Sequence, residues 1–79
     1  MKKLQILGTG CPSCRRLTAL TEEAARNLGL QVEIEKVEDV DAIVEMGVLR
    51  TPALAVDGTV RSSGRVPSVE EVEEILRSA

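Results

Sequence analysis

The sequence predicts an α/β fold in the order β-α-β-α-β-β-α, with a mixed four-stranded sheet and helices on both faces. Three observations predict it. Apolar residues recur every three to four positions after Pro12 and again after Val69, but alternate with polar ones over residues 30–37. The dipeptide Asp57-Gly58 parts two short strand-like runs and favours a type I′ hairpin turn. A strand, a helix and a second strand of these lengths form a βαβ unit, whose strands run parallel with a right-handed crossover. At 79 residues the chain is read as one domain, residues 1–79.

Lys3 to Leu7 is the first strand. Leu4 and Ile6 face one side and Leu7 reaches the other, which suits a central position. Pro12 opens the first helix, where its missing N–H costs nothing. Leu17, Leu20, Ala24 and Leu28 mark one apolar helical face, and Asn27 and Gly29 stop it. Residues 30–37 follow as a strand, Leu30, Val32, Ile34 and Val37 set against Gln31, Glu33 and Glu35, an alternation that suggests one buried and one wet face. Asp39 caps a short helix containing Val40, Ile43 and Val44, and Gly47 ends it. Ala53 to Val56 is a short apolar strand. Thr59 to Ser63 returns antiparallel and Gly64 breaks it. Ser68 and Glu71 form a capping box for the last helix, whose apolar stripe is Val69, Val72, Ile75 and Leu76.

Composition excludes some functions. The chain has 13 acidic and 10 basic residues, a net charge of −3, and no basic block. It has no Phe, Tyr or Trp on which bases could stack. Nucleic-acid binding is therefore not expected. Met1-Lys2-Lys3 begins like a signal peptide, but the apolar run that follows ends at Leu7 and contains Gln5. No stretch approaches the ~18 apolar residues of a membrane span. The expectation is a cytoplasmic protein with no membrane partner.

Cys11-Pro12-Ser13-Cys14 carries the chemistry. These are the chain's 2 cysteines, placed where a strand ends and a helix begins. A bridge over so short a loop removes roughly 2 kcal/mol of unfolded-chain entropy, so the pair is poorly placed as a staple. A helix N-terminus carries about half a positive charge and free N–H donors. It stabilises a thiolate and lowers the pKa of the first cysteine. Cys11, at the helix start, is thus the nucleophile, and Cys14, one turn in, the resolving thiol. If a thiol pKa falls from ~8.5 to ~6.5, the thiolate fraction at pH 7 rises from ~3% to ~76% while intrinsic nucleophilicity falls about eightfold. Attack gains only about threefold, so such a site tunes the potential more than the rate. Gly8 and Gly10 relieve a tight strand-to-helix turn, or let a partner backbone approach Cys11. Arg15 and Arg16 read first as a solvated helix face. Two other readings of the cysteine pair stay open: an inert pair, and a zinc or copper module. The chain has no histidine, so a four-ligand zinc site needs carboxylates or a second subunit.

With these motifs in this order, the chain resembles a minimal thioredoxin-superfamily domain, closest to the small redox-active disulfide proteins. Cys11-Pro12-Ser13-Cys14 after the first strand, Thr51-Pro52 before a later strand, and the glutaredoxin-like run Thr51–Gly58 followed by Gly64 carry the resemblance. It implies a small thiol-disulfide oxidoreductase or electron carrier working on a Cys11–Cys14 couple. It also implies a cis Thr51-Pro52 bond opposite the dithiol, with the Thr51 backbone free to pair with an extended substrate segment. Thr51, Pro52, Gly10 and Gly64 then form the substrate-binding set. The partners implied are disulfide-containing proteins and a reductase, with a monomeric chain and no cofactor beyond the two sulfurs. The chain departs from larger thioredoxins in having Gly10 where they place Trp, and Gln5 where they bury an Asp. It departs from glutaredoxins in having Arg65-Val66-Pro67-Ser68 where they carry an Asp-containing turn. Copper-chaperone domains share a C-x-x-C after the first strand, but follow Met-x-Cys-x-x-Cys and end on a strand. Here position 9 is Thr and a helix comes last.

Overall fold

The computed structural model describes residues 2–78. Met1, the first residue of Met1-Lys2-Lys3, and Ala79 lie outside the described residues. The elements are β1 (Lys2–Leu7), α1 (Pro12–Leu28), β2 (Val32–Val37), α2 (Val40–Glu45), β3 (Ala53–Val56), β4 (Thr59–Ser63) and α3 (Val69–Ser78). They match the predicted order.

The sheet runs β2-β1-β3-β4. β1 pairs parallel with β2, with Leu7 opposite Val37, and antiparallel with β3, with Leu7 opposite Ala53. β3 and β4 form the antiparallel hairpin, through a turn in which Asp57 and Gly58 both take positive φ (50° and 87°). Parallel and antiparallel pairs thus meet on β1. The alternation in β1 divides the core. Leu4 and Ile6 join Leu54 and Val56 beneath Leu17, Ala24 and Ala25 of α1 and Val72 and Leu76 of α3. Leu7 joins Ala53 and Ala55 on the opposite face, beneath Ile43 of α2 and Val48. Helices therefore cover both faces, as the pattern predicts.

Some details differ from the sequence reading, and β1 starts at Lys2 instead of Lys3. β2 starts at Val32 instead of residue 30. Gly29 N–H bonds to the Arg26 carbonyl (3.1 Å) and Leu30 N–H to the Ala25 carbonyl (3.0 Å), a Schellman closure that draws Leu30 into the end of α1. In β4, Leu54 faces Ser62 and Ala55 faces Val60, so Arg61 is the extra residue of a bulge. Of the three apolar residues that the sequence reading names in α2, only Ile43 is buried. Val40 and Val44 remain 59% and 58% exposed.

The cap of α3 forms as predicted. Glu71 N–H donates to Ser68 Oγ (3.2 Å), and Ser68 N–H donates to Glu71 Oε1 (3.1 Å). Arg65 adds an ion pair to the same carboxylate. Hydrogen bonds from Arg65 and then from the Ser68 N–H lower the Glu71 carboxyl from its ordinary 4.5 to about 2. A depressed acid stabilises the fold above its unfolded-chain value, and that contribution disappears as pH falls through the folded value. The stability difference between the native protein and Glu71→Gln is therefore expected to be constant above about pH 4.5 and to shrink between there and about pH 2. Denaturant unfolding followed by far-UV circular dichroism at a series of pH values checks this. A difference that does not change with pH contradicts it.

Candidate active site

β1 ends at Leu7, yet its ladder continues for one residue: Gly8 N–H donates to the Val37 carbonyl (2.9 Å). The chain then turns through Gly10, whose φ of 86° only glycine adopts freely. Cys11 is the N-cap of α1, extended at φ −67° and ψ 164°, and Pro12 follows in the first turn. Cys11 Sγ accepts the N–H of Cys14 at 3.2 Å, and the Cys11 carbonyl accepts the N–H of Arg15 at 3.1 Å. Sulfur here takes the place of the oxygen that ordinarily caps a helix.

The two cysteines are joined as a disulfide with Cα atoms 5.0 Å apart. Their environments differ: Cys11 is half-buried, whereas Cys14 is only 4% exposed. Cys14 owes its seat to Gly8. A Cβ at Gly8 would collide with Cys14 Sγ and would sit 3.8 Å from the Thr51 Cβ. Gly8 therefore makes room for the buried sulfur, which the sequence reading, concerned with a partner near Cys11, did not anticipate.

Thr51 and Cys14 thus both lie close to Gly8. The Thr51-Pro52 peptide is cis, with Thr51 exposed and Pro52 buried. The Pro52 carbonyl accepts the Gly64 N–H (3.0 Å), and the Arg50 side chain lies over Gly64, its Cβ 3.2 Å from where a Cβ on Gly64 would sit. Of the predicted set, Gly10 lines the cavity beside Cys14 and Thr51 lies close to Gly8, while Gly64 is tied to Pro52.

Beside Cys14 is a cavity of about 190 Å³, lined by Gly8, Gly10, Cys14, Arg15, Lys36 and Glu38 among others. The Arg15 guanidinium donates to the Gly10 carbonyl (3.0 Å), so this residue holds the loop before Cys11 instead of only facing solvent. Gln5 is absent from the lining, and its amide donates to Glu35 Oε1 (2.8 Å). Sequence reasoning missed Lys36 and Glu38. The signal was there: once the first two strands are taken as parallel, the end of β2 must lie beside the end of β1.

Among the described residues, no group of three or more His, Cys, Asp and Glu side chains is gathered to hold a metal ion. The metal reading of the pair therefore gains no further ligands and is not favoured. No helix is long and apolar enough to cross a membrane, among the same residues.

Known proteins with this architecture point one way. The family model described as the thioredoxin domain matches residues 2–77. A thioredoxin of Methanothermobacter thermautotrophicus is 46% identical over 76 residues, which is 96% of this chain and 99% of that one. A thioredoxin of Methanocaldococcus jannaschii is 42% identical over 78 residues, 99% of this chain and 90% of that one. Among solved structures, the malaria parasite's thioredoxin-2 superposes with a TM-score of 0.68 at 14% identity, covering 100% of this chain and 84% of that one. Oxidised thioredoxin from Plasmodium falciparum gives 0.65 at 16% identity, covering 98% and 79%. At these identities the superpositions speak for the fold. The family match and the two archaeal relatives go further: the chain belongs to the thioredoxin family.

Proposed function

We propose that the two cysteines divide the work of thiol–disulfide exchange, with Cys11 attacking and Cys14 resolving. The chain is a thiol–disulfide oxidoreductase of the thioredoxin kind. The observation that supports the division is Cys11 at the N-cap, half-buried and hydrogen-bonded by the Cys14 N–H, with Cys14 buried behind it.

In the reduced protein, the Cys11 thiolate attacks one sulfur of a client disulfide. A Cys11–client bond forms, and the other client sulfur leaves as a thiolate that takes a proton from water. Cys14 then loses its proton and attacks Cys11 Sγ. The Cys11–Cys14 bond forms, the Cys11–client bond breaks, and the second client sulfur leaves. The client disulfide gains two electrons and two protons, and the protein's dithiol becomes the disulfide of the present structure. A reductase restores the dithiol.

The exposed Thr51, close to Gly8, supports docking of an extended client segment along its backbone, with Gly10 next to Cys11 as a second point of approach. Pro52 and Gly64 support that strip from behind. The same reading has the chain acting as a monomeric domain over residues 1–79, in the cytoplasm, with the two sulfurs as its only redox group. A reducing compartment suits it, because a C-x-x-C there works as a catalyst and not as a staple. The acidic balance of 13 to 10 and the lack of aromatic residues favour protein disulfides over nucleic acid as the substrate.

Cys14→Ser is expected to trap mixed disulfides with client proteins, and Cys11→Ser to trap few or none, as read by mass spectrometry of affinity-purified protein. Equal trapping by both overturns the division of roles. The native couple is expected to titrate reversibly between about −300 and −120 mV, the span of C-x-x-C carriers. Free-thiol counting across a redox series measures it, because the chain has no tryptophan to report by fluorescence. Gly8→Ala is expected to cost about 1–3 kcal/mol, the usual cost of overpacking, and to slow resolution, because the atom it displaces is Cys14 Sγ. Chemical denaturation and the rate of client release test it. Native stability with native release would refute the steric role of Gly8.

A further inference from the structure

Two peptide carbonyls flank the Cys11 side chain, that of Gly10 before it and its own. One residue holds both. The Arg15 main-chain N–H donates to the Cys11 carbonyl at 3.1 Å, and the Arg15 guanidinium donates to the Gly10 carbonyl at 3.0 Å. The first is an opening bond of α1. The second belongs to no helix or strand, and it reaches back past Cys11 to the loop that precedes it. Arg15 forms no ion pair among the described residues, so the Gly10 carbonyl is what its guanidinium holds.

That loop needs holding. The ladder of β1 closes with the Gly8 N–H on the Val37 carbonyl, and α1 begins only at Pro12. Gly8 and Gly10 are glycines, the residues with the most backbone freedom to lose. In the oxidised chain the bond between the two sulfurs fixes Cys11. Reduction removes that tie. The hydrogen bonds that then hold Cys11 and Gly10 are the Cys14 N–H on Cys11 Sγ, the opening bond of α1 and the Arg15 guanidinium. Only the last grips the peptide immediately before Cys11.

We infer that Arg15 is a positioning residue for disulfide closure: its guanidinium clamps the Gly10–Cys11 peptide, so that Cys11 Sγ stays in register with Cys14 through the redox cycle. This rests on the Cys11–Cys14 couple being the working redox group. In closure the Cys14 thiolate forms its bond to Cys11 Sγ as the Cys11–client bond breaks, and the client sulfur leaves with the electron pair. A target already aligned raises the effective concentration of one sulfur at the other. The clamp is made with the bridge closed, and a contact made more fully in one state stabilises that state. It therefore favours the disulfide over the dithiol and makes the couple a stronger reductant.

Charge alone gives the opposite sign. A cation near the dithiol stabilises a thiolate, hence the reduced form, and its removal would make the potential more negative. Loss of the clamp makes the potential less negative. Arg15 is exposed, so salt screens its field. A direct hydrogen bond to a neutral carbonyl depends far less on salt.

The full chain is equilibrated with dithiothreitol redox buffers in about 1 M salt, where the Debye length is ~3 Å, and its thiols are counted by mass after alkylation. Glutamine is a good helix former, and its amide lies two bonds nearer the backbone than the guanidinium nitrogens. In Arg15→Gln the equilibrium is expected to move about threefold toward the dithiol, which is about 14 mV less negative. Arg15→Lys, which keeps a long donor, should recover at least half of that shift. Arg16→Gln removes the same charge from the next, exposed position of α1 and should leave the potential native. With dithiobis-nitrobenzoate as the disulfide, the second arylthiolate released reports closure, and in Arg15→Gln it should appear about threefold more slowly. A potential in Arg15→Gln that is unchanged or more negative overturns the inference, as does an equal shift in Arg16→Gln. A native chain that does not titrate reversibly overturns the redox couple itself, so the two failures are distinguishable.

Discussion

The structure depends on β1 being buried on both faces. Leu4 and Leu7 are fully buried and Ile6 nearly so, yet Leu4 and Ile6 face α1 and α3 while Leu7 faces α2. A one-residue slip of β1 would exchange these sets and put each under the wrong helices. The register is therefore fixed, and with it the point where the chain leaves the sheet. Because β2 runs parallel to β1, its end arrives at the same edge. Because β3 runs antiparallel, its beginning arrives there too. Gly8, Glu38 and Thr51 are far apart in sequence but converge at one edge for this reason alone. Open α/β sheets place their sites outside the carboxyl ends of the strands for the same geometric reason.

At that edge the chain separates two sulfurs that differ only in their position along a helix. One helical turn takes Cys11 at the N-cap to Cys14 on the inner side of α1, in the seat left by Gly8. The first sulfur receives a backbone N–H and remains within reach of a partner. The second is buried against Gly8 at the end of β1 and beside the cavity. Asymmetry of this kind supports the proposed direction of the dithiol, in which the more accessible sulfur meets a partner first.

Much of this was legible in the sequence. Periodic patterns marked β1, β2, α1 and α3, a short apolar run marked β3, and Asp57-Gly58 and Ser68 with Glu71 marked the hairpin and the last cap, because those signals are local. What was not legible depended on competition between neighbours or on contacts across the fold. Leu30 continues the alternation of β2, but its N–H is claimed by the end of α1. Val40 and Val44 look as apolar as Ile43 in the sequence, but in the six residues of α2 Ile43 takes the buried position. Arg15 looked solvated because nothing in the sequence shows that the Gly10 carbonyl turns back toward it. Gly8 and Gly10 were marked as special, but why was not readable. The atoms that need their space, Cys14 Sγ and Glu38 Oε2, become neighbours only in three dimensions.

The disulfide sits apart from what holds the fold together. Both apolar clusters close without either cysteine. The bridge spans a sequence separation of 3, so breaking it returns only roughly 2 kcal/mol of chain entropy to the unfolded state. A domain of this length has a total stability of about 4–12 kcal/mol at the usual value per residue. Opening so short a loop leaves most of that in place, whereas a bridge between distant segments would tie folding to redox state. A carrier must pass through both states on every turnover without unfolding. Placing the pair within one helical turn, outside both cores, lets the electron count change while the architecture that positions Thr51 and Glu38 stays the same.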